Sequence, residues 1–153
     1  MDTRGFTMIE LVMVIVIIAV LGALAIPNMD GWFAKRQLDE AARTMFSHFQ
    51  EARSEAIREN TSVQIRIDLA NEWYDIQDIN GNTVVPQMNM PDGIDLLAST
   101  FPLNALNYNT TGLTSRGFAT QQGSVTILST EANPADNQRI ITLTLGGSVS
   151  IQP

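Results

Sequence analysis

Glu10 is the only acid inside the apolar run from Phe6 to Ile26, and its setting asks for a chemical explanation more than that of any other residue. An ionised carboxylate at the centre of a bilayer costs roughly 2.5–3.5 kcal/mol, and less near an interface, so an unpaired one is expected to be functional and to have a partner. Other chemistry-bearing residues are sparse. His48 is the only histidine and cysteine is absent, so the chain has no paired soft ligands at metal-binding spacing and no thiolate. Asp75 with Asp78, and Asp92 with Asp95, offer carboxylate oxygens without the spacing of an EF-hand, and read as loop carboxylates. Asn60-Thr61-Ser62 and Asn109-Thr110-Thr111 fit the glycosylation pattern, a motif too short to assign a role. No base, nucleophile and orienting group can be named together. The expectation is therefore a non-enzyme with no catalytic residue, no metal and no cofactor.

The elements that must position Glu10 follow from hydropathy. A helix from Phe6 to Ile26 would rise about 31 Å, which matches a hydrocarbon core of about 30 Å, so this segment is expected to span a membrane. Pro27 lacks an amide hydrogen and should kink or break the helix at the membrane exit. Apolar or small residues then recur at Leu38, Ala42, Met45, Phe49, Ala52 and Ala56, in steps of four and three, which describes one buried face of an amphipathic helix. Lys35, Arg36, Asp39, Glu40, Arg43, Glu51, Arg53, Glu55 and Arg58 fall on the other side, with Asp39 and Arg43 spaced as an ion pair.

Beyond Asn60 the period changes to two. Val63, Ile65 and Ile67 alternate with Gln64, Arg66 and Asp68, as in a half-buried strand. Trp73 to Ile79 reads as a second strand, with a hairpin signal at Asn80-Gly81-Asn82 leading into Thr83-Val84-Val85. Pro86 and Pro91 favour an edge strand or loop, and Pro102 to Thr120 reads as connecting loop with one short strand near Leu103 to Tyr108. Ser124 to Leu128 and Ile140 to Leu145 are strands, and Gly146-Gly147 is expected to make a two-residue turn into Ser148 to Ile151. The fold class is α+β: a long N-terminal helix packed on a C-terminal antiparallel β-rich domain. A net charge of −7 with pI near 4.5 does not favour nucleic acid as a partner.

The N-terminal residues Met1-Asp2-Thr3-Arg4-Gly5 followed by Phe6, with Glu10 fifth after Gly5, resemble the class III signal of type IV pilin-like proteins. Pro27 stands where many members of that family carry a helix-kinking proline. The resemblance implies a leader over residues 1–5, a transmembrane and assembly helix over 6–27, an amphipathic half over 28–60 and a periplasmic domain over 61–153. It also implies cleavage between Gly5 and Phe6 by a prepilin peptidase, N-methylation of Phe6, and pairing of Glu10 with the Phe6 ammonium of a neighbouring subunit. The helix end Gln50 to Arg58, followed by Val63-Gln64-Ile65, and Gly112-Leu113-Thr114-Ser115-Arg116-Gly117 with two late strands, resemble the minor pseudopilin H group of type II secretion and related minor pilins. That likeness implies a single-pass subunit of a bacterial inner membrane, extracted into a pseudopilus or type IV pilus, where it sits near the tip. Its implied partners are other pilin or pseudopilin subunits, the peptidase and the membrane.

Three other readings stay open. Ala23-Leu24-Ala25 would suit an ordinary signal peptidase, although the apolar run is long for such a signal. A plain membrane anchor would let Glu10 snorkel to the interface. A receptor of the same family would capture DNA or an exported substrate, but the turn Gly146 to Ser150 has no Lys or Arg after Arg139. Arg116, flanked by glycine, reads as a turn residue rather than a partner contact.

Overall fold

The computed structural model describes residues 6–25, 30–104 and 108–153. Among the described residues, two helices precede eight strands: α1 (Met8–Ala25), α2 (Asp30–Arg58), β1 (Val63–Asp68), β2 (Trp73–Asp78), β3 (Thr83–Asn89), β4 (Ile94–Ser99), β5 (Asn109–Leu113), β6 (Gly123–Ser129), β7 (Gln138–Leu143) and β8 (Val149–Gln152). The strands form two antiparallel four-stranded sheets, ordered β3-β2-β1-β5 and β4-β6-β7-β8. The class is α+β, as the periodicities predict.

α2 lies across both sheets, touching β1, β3 and β5 of the first and β4, β6, β7 and β8 of the second. The stripe that does this is the one read from the sequence. Leu38, Ala42, Met45, Phe49, Ala52 and Ala56 are all buried. They meet Val63, Ile65, Ile67, Tyr74 and Ile76 of the first sheet and Val125, Ile127, Ile141 and Leu143 of the second in one core. Alanine at half of these helix positions brings the helix backbone close to the strands, which is why one helix serves two sheets. The C-terminal strands share this core with residues 38–56 of the helix.

Two strands differ from expectation. β5 lies at Asn109–Leu113, just after the Leu103 to Tyr108 stretch where a short strand is predicted, and pairs with β1; of that stretch, residues 105–107 fall outside the described residues, and Leu103 makes an isolated bridge to Asn109. Asn109 and Thr111 are buried and remain satisfied, because the Asn109 side-chain amide donates to the Phe101 carbonyl at 2.6 Å and the Thr111 hydroxyl to the Gln121 carbonyl at 3.0 Å. β4 is new, and its register shift between Leu96 and Ala98 turns the exposed Leu97 out of the alternation. Pro86 lies in β3, an edge strand, where its missing donor costs no ladder bond in the sheet interior.

The Gly146-Gly147 turn is a three-residue loop, not a two-residue one. The Thr144 amide donates to the Ser148 carbonyl at 3.0 Å, the Gly147 amide to the Thr144 carbonyl at 2.8 Å, and Gly147 has φ 72°. The same loop recurs at Ile79-Asn80-Gly81, with Gly81 at φ 86°, and at Ser115-Arg116-Gly117, with Gly117 at φ 75°. Two of the three meet. A Cβ on Gly147 would fall 1.8 Å from the Gly117 carbonyl oxygen, and one on Gly117 would fall 2.7 Å from Ile57 Cδ1. Arg116 is thus a turn residue, and both glycine motifs close on the end of α2.

Candidate assembly site at the N-terminus

α1 begins with a threonine N-cap. The Thr7 hydroxyl accepts the Glu10 amide at 3.3 Å, and the Thr7 carbonyl accepts the Glu10 and Leu11 amides at 3.1 and 3.2 Å. Thr7 is the N-cap and Glu10 the third helical residue, the Ser/Thr-x-x-Glu order that starts helices. The sequence carried this signal in Thr7-Met8-Ile9-Glu10, and reading only the acid missed the threonine. At that position a carboxylate also faces the positive end of the helix dipole. Helix formation alone thus favours an acid at this residue.

Every described side chain from Phe6 to Gly22 is exposed, with Phe6 at 82% and Met8 at 87%. An 18-residue helix of this composition, open to its surroundings on all sides, has no core of its own to enter, and water is a poor environment for it. Among the described residues no donor reaches the Glu10 carboxylate. Among those residues, too, no helix is long and apolar enough to cross a membrane: α1 as bounded rises about 27 Å, short of a core of about 30 Å. Gly5, the residue expected before the cleaved bond, and Pro27, the expected kink, both lie outside the described residues.

The remaining polar residues serve the fold. His48 Nδ1 lies 2.8 Å from the Tyr74 hydroxyl, and burial pushes that phenol above its ordinary range. Asp75 is buried and grips the Arg66 guanidinium with both oxygens, with Nε at 2.8 Å. Asp78 accepts the Asn80 and Asn82 amides, each at 2.8 Å, and the Asn82 side chain at 2.7 Å, which holds its carboxyl below the usual range. Asp75 and Asp78 are therefore committed to a strand pair and a turn. Asp95 lies against Glu72, whose carboxyl is raised first by desolvation and then by this like charge. No group of three or more metal-ligating side chains is present among the described residues. Asn109 of the second glycosylation pattern is buried and bonded. Asp39 pairs with Arg139 at 2.7 Å, a hundred residues away, and not with Arg43. Arg139 also binds Asp136 at 2.6 Å, and Lys35 joins the same carboxylate. No local spacing announces that cluster, which ties the first half of α2 to the second sheet.

Residues 1–26 match the model of the prokaryotic N-terminal methylation motif, and residues 41–147, more than half of the chain, match that of the type II transport protein GspH. A curated relative, the pilin-like protein PilA1 of Thermus thermophilus, is 39% identical over 67 residues, which is 44% of this chain and 42% of the relative, so the match spans less than half of that protein's length. Among solved structures, the minor pseudopilin EpsH of the Vibrio cholerae type 2 secretion system has a TM-score of 0.62 at 15% identity, covering 76% of this chain and 96% of the other. The type IV minor pilin FimU of Pseudomonas aeruginosa has a TM-score of 0.58 at 16% identity, covering 77% and 90%. At such identities the two structures establish the fold alone. The match over residues 41–147, together with a methylation motif placed on the apolar helix, means that the chain belongs to the GspH family of type II transport proteins.

Proposed function

We propose that this chain is a minor pilin or pseudopilin subunit: a prepilin peptidase cuts between Gly5 and Phe6 and methylates the new amine, and the subunit then enters a type II secretion pseudopilus or a type IV pilus, near its tip. Before assembly, the segment Phe6 to Ile26 anchors it in the bacterial inner membrane with the β domain in the periplasm. The observation that carries this reading is the lone carboxylate of Glu10, on an exposed helix and inside the residues that match the methylation motif. In a filament the apolar side chains of α1 pack on other such helices. There the Phe6 ammonium of a neighbour meets Glu10 in a low-dielectric setting, where opposite charges are costly apart and tolerable together. The role is structural, and catalysis is no part of it.

The test separates processing from assembly. Glu10→Ala and Glu10→Leu are expected to insert in the membrane and lose the leader normally, yet to be recovered poorly in sheared filaments. Wild-type recovery of both variants would contradict the charge-pairing role. Gly5→Arg is expected to block leader removal altogether.

A further inference from the structure

The first turn of α2 exposes two adjacent aromatic rings. Trp32 is 55% and Phe33 53% exposed, and their rings stack edge to face with centroids 5.1 Å apart. Both lie outside the stripe that packs on the sheets, which begins with the buried Ala34 and Leu38. The Arg36 guanidinium sits 5.6 Å from the centre of the Trp32 ring and has no carboxylate partner among the described residues. The other tryptophan, Trp73, is half-buried against Tyr108, with centroids 5.1 Å apart. One tryptophan is thus packed within the domain and the other is left bare, in a cluster that is apolar on one side and cationic on the other.

Rings with a polar edge, flanked by cations, are the groups that favour the boundary between hydrocarbon and water. The chain limits how far this cluster can sit from such a boundary. Trp32 follows Ile26 by six residues, a reach of at most about 20–22 Å for a fully extended backbone and less for any turned path. The polar layer of a bilayer is about 5–8 Å deep on each side of the core. A bare tryptophan tethered that closely to an anchored helix has the headgroup layer as its nearest amphipathic cover. We propose that Trp32, Phe33 and Arg36 form an interfacial collar, the two rings bedded at the level of the lipid glycerol backbone and Arg36 reaching the phosphates, which fixes the height of the β domain above the membrane before assembly. The collar rests on the anchoring of Phe6 to Ile26 proposed above.

The test uses the full chain in vesicles of phosphatidylcholine and phosphatidylglycerol, with Trp73→Phe so that Trp32 alone emits. Nitroxide lipids labelled at the headgroup, or near the middle of the acyl chain, report its depth. The collar predicts strong quenching by the headgroup label, several-fold weaker quenching by the deep label, and shielding from aqueous iodide. It also predicts that Arg36→Gln makes Trp32 more accessible to iodide. Free access of iodide with no lipid quenching would overturn the collar. So would shielding without lipid quenching that grows with protein density, which would assign the rings to a second copy of the chain. A parallel chain with Trp32→Phe, Trp73→Phe and Val16→Trp tests the anchor alone. If Val16→Trp is quenched by the deep label while Trp32 is not quenched by either, the anchor stands and the collar fails. If neither position is quenched, the anchoring reading itself fails.

Discussion

Glu10 is singled out by its place in the helix and by its charge. As the third residue of a capped helix it faces the amino-terminal dipole, and as the only acid among residues 6–26 it meets no cation among the described residues. The acid and its distance from Gly5 could be read from the sequence, because chain spacing alone defines both. Thr7 was equally legible and needed only the Thr-x-x-Glu pattern. Arg139 was not legible, because its partner Asp39 is local to it only after folding. A glycine of the last loop belongs to the same scale. Gly147 has φ 72°, and a Cβ there would fall 1.8 Å from a backbone oxygen that no rotamer can move. Gly147→Ala is therefore expected to lower stability by more than about 1 kcal/mol, seen as a reduced midpoint in urea. An unchanged midpoint would mean that the loop can leave Gly117 without cost.

Among the elements, α2 and the strands with clean alternation were legible, since each buries a periodic face. β1 shows this best, with Val63, Ile65 and Ile67 buried in turn. β4 and β5 were not legible, for two physical reasons. A register shift at Leu97 breaks the period of β4, and Asn109-Thr110-Thr111-Gly112 has the composition of a loop but becomes a strand because β1 offers it an edge. The joint of the molecule is Phe49, wholly buried on the face that α2 presents to both sheets. Phe49→Ala is expected to cost about 3–5 kcal/mol and to unfold both sheets in one transition, since neither has another helix to cover it. Near-ultraviolet and far-ultraviolet circular dichroism melts should coincide. Separate melting of the strands would show that the sheets do not share one core.

For the whole molecule, acid is the condition that probes the fold. Asp68 is buried; its burial pushes the carboxyl up, but bonds from the Asn71 side chain at 2.8 Å and from the Asn71 and Ala70 amides at 3.0 and 2.9 Å outweigh that and leave it lowered. Asp136, held by Lys35 and Arg139, is lowered too, though it is only half-buried and more screened than Asp68. A carboxylate whose folded value lies below its unfolded value of about 3.9 stabilises the fold above that pH, and the gain disappears as the pH falls through the folded value. Stability is therefore expected to fall as the pH drops below about 4. Asp68→Asn should flatten that acid limb more than Asp136→Asn does, as measured by urea midpoints across pH. The proposed role of Glu10 needs a new amine at the start of the mature chain. Mass spectrometry of the intact protein purified from its native membrane or filament tests it most directly. The expected chain starts at Phe6 and carries one added methyl group on its terminal nitrogen. A chain that retains Met1 to Gly5, or one that starts at Ile26 after signal-peptidase cleavage, would contradict it.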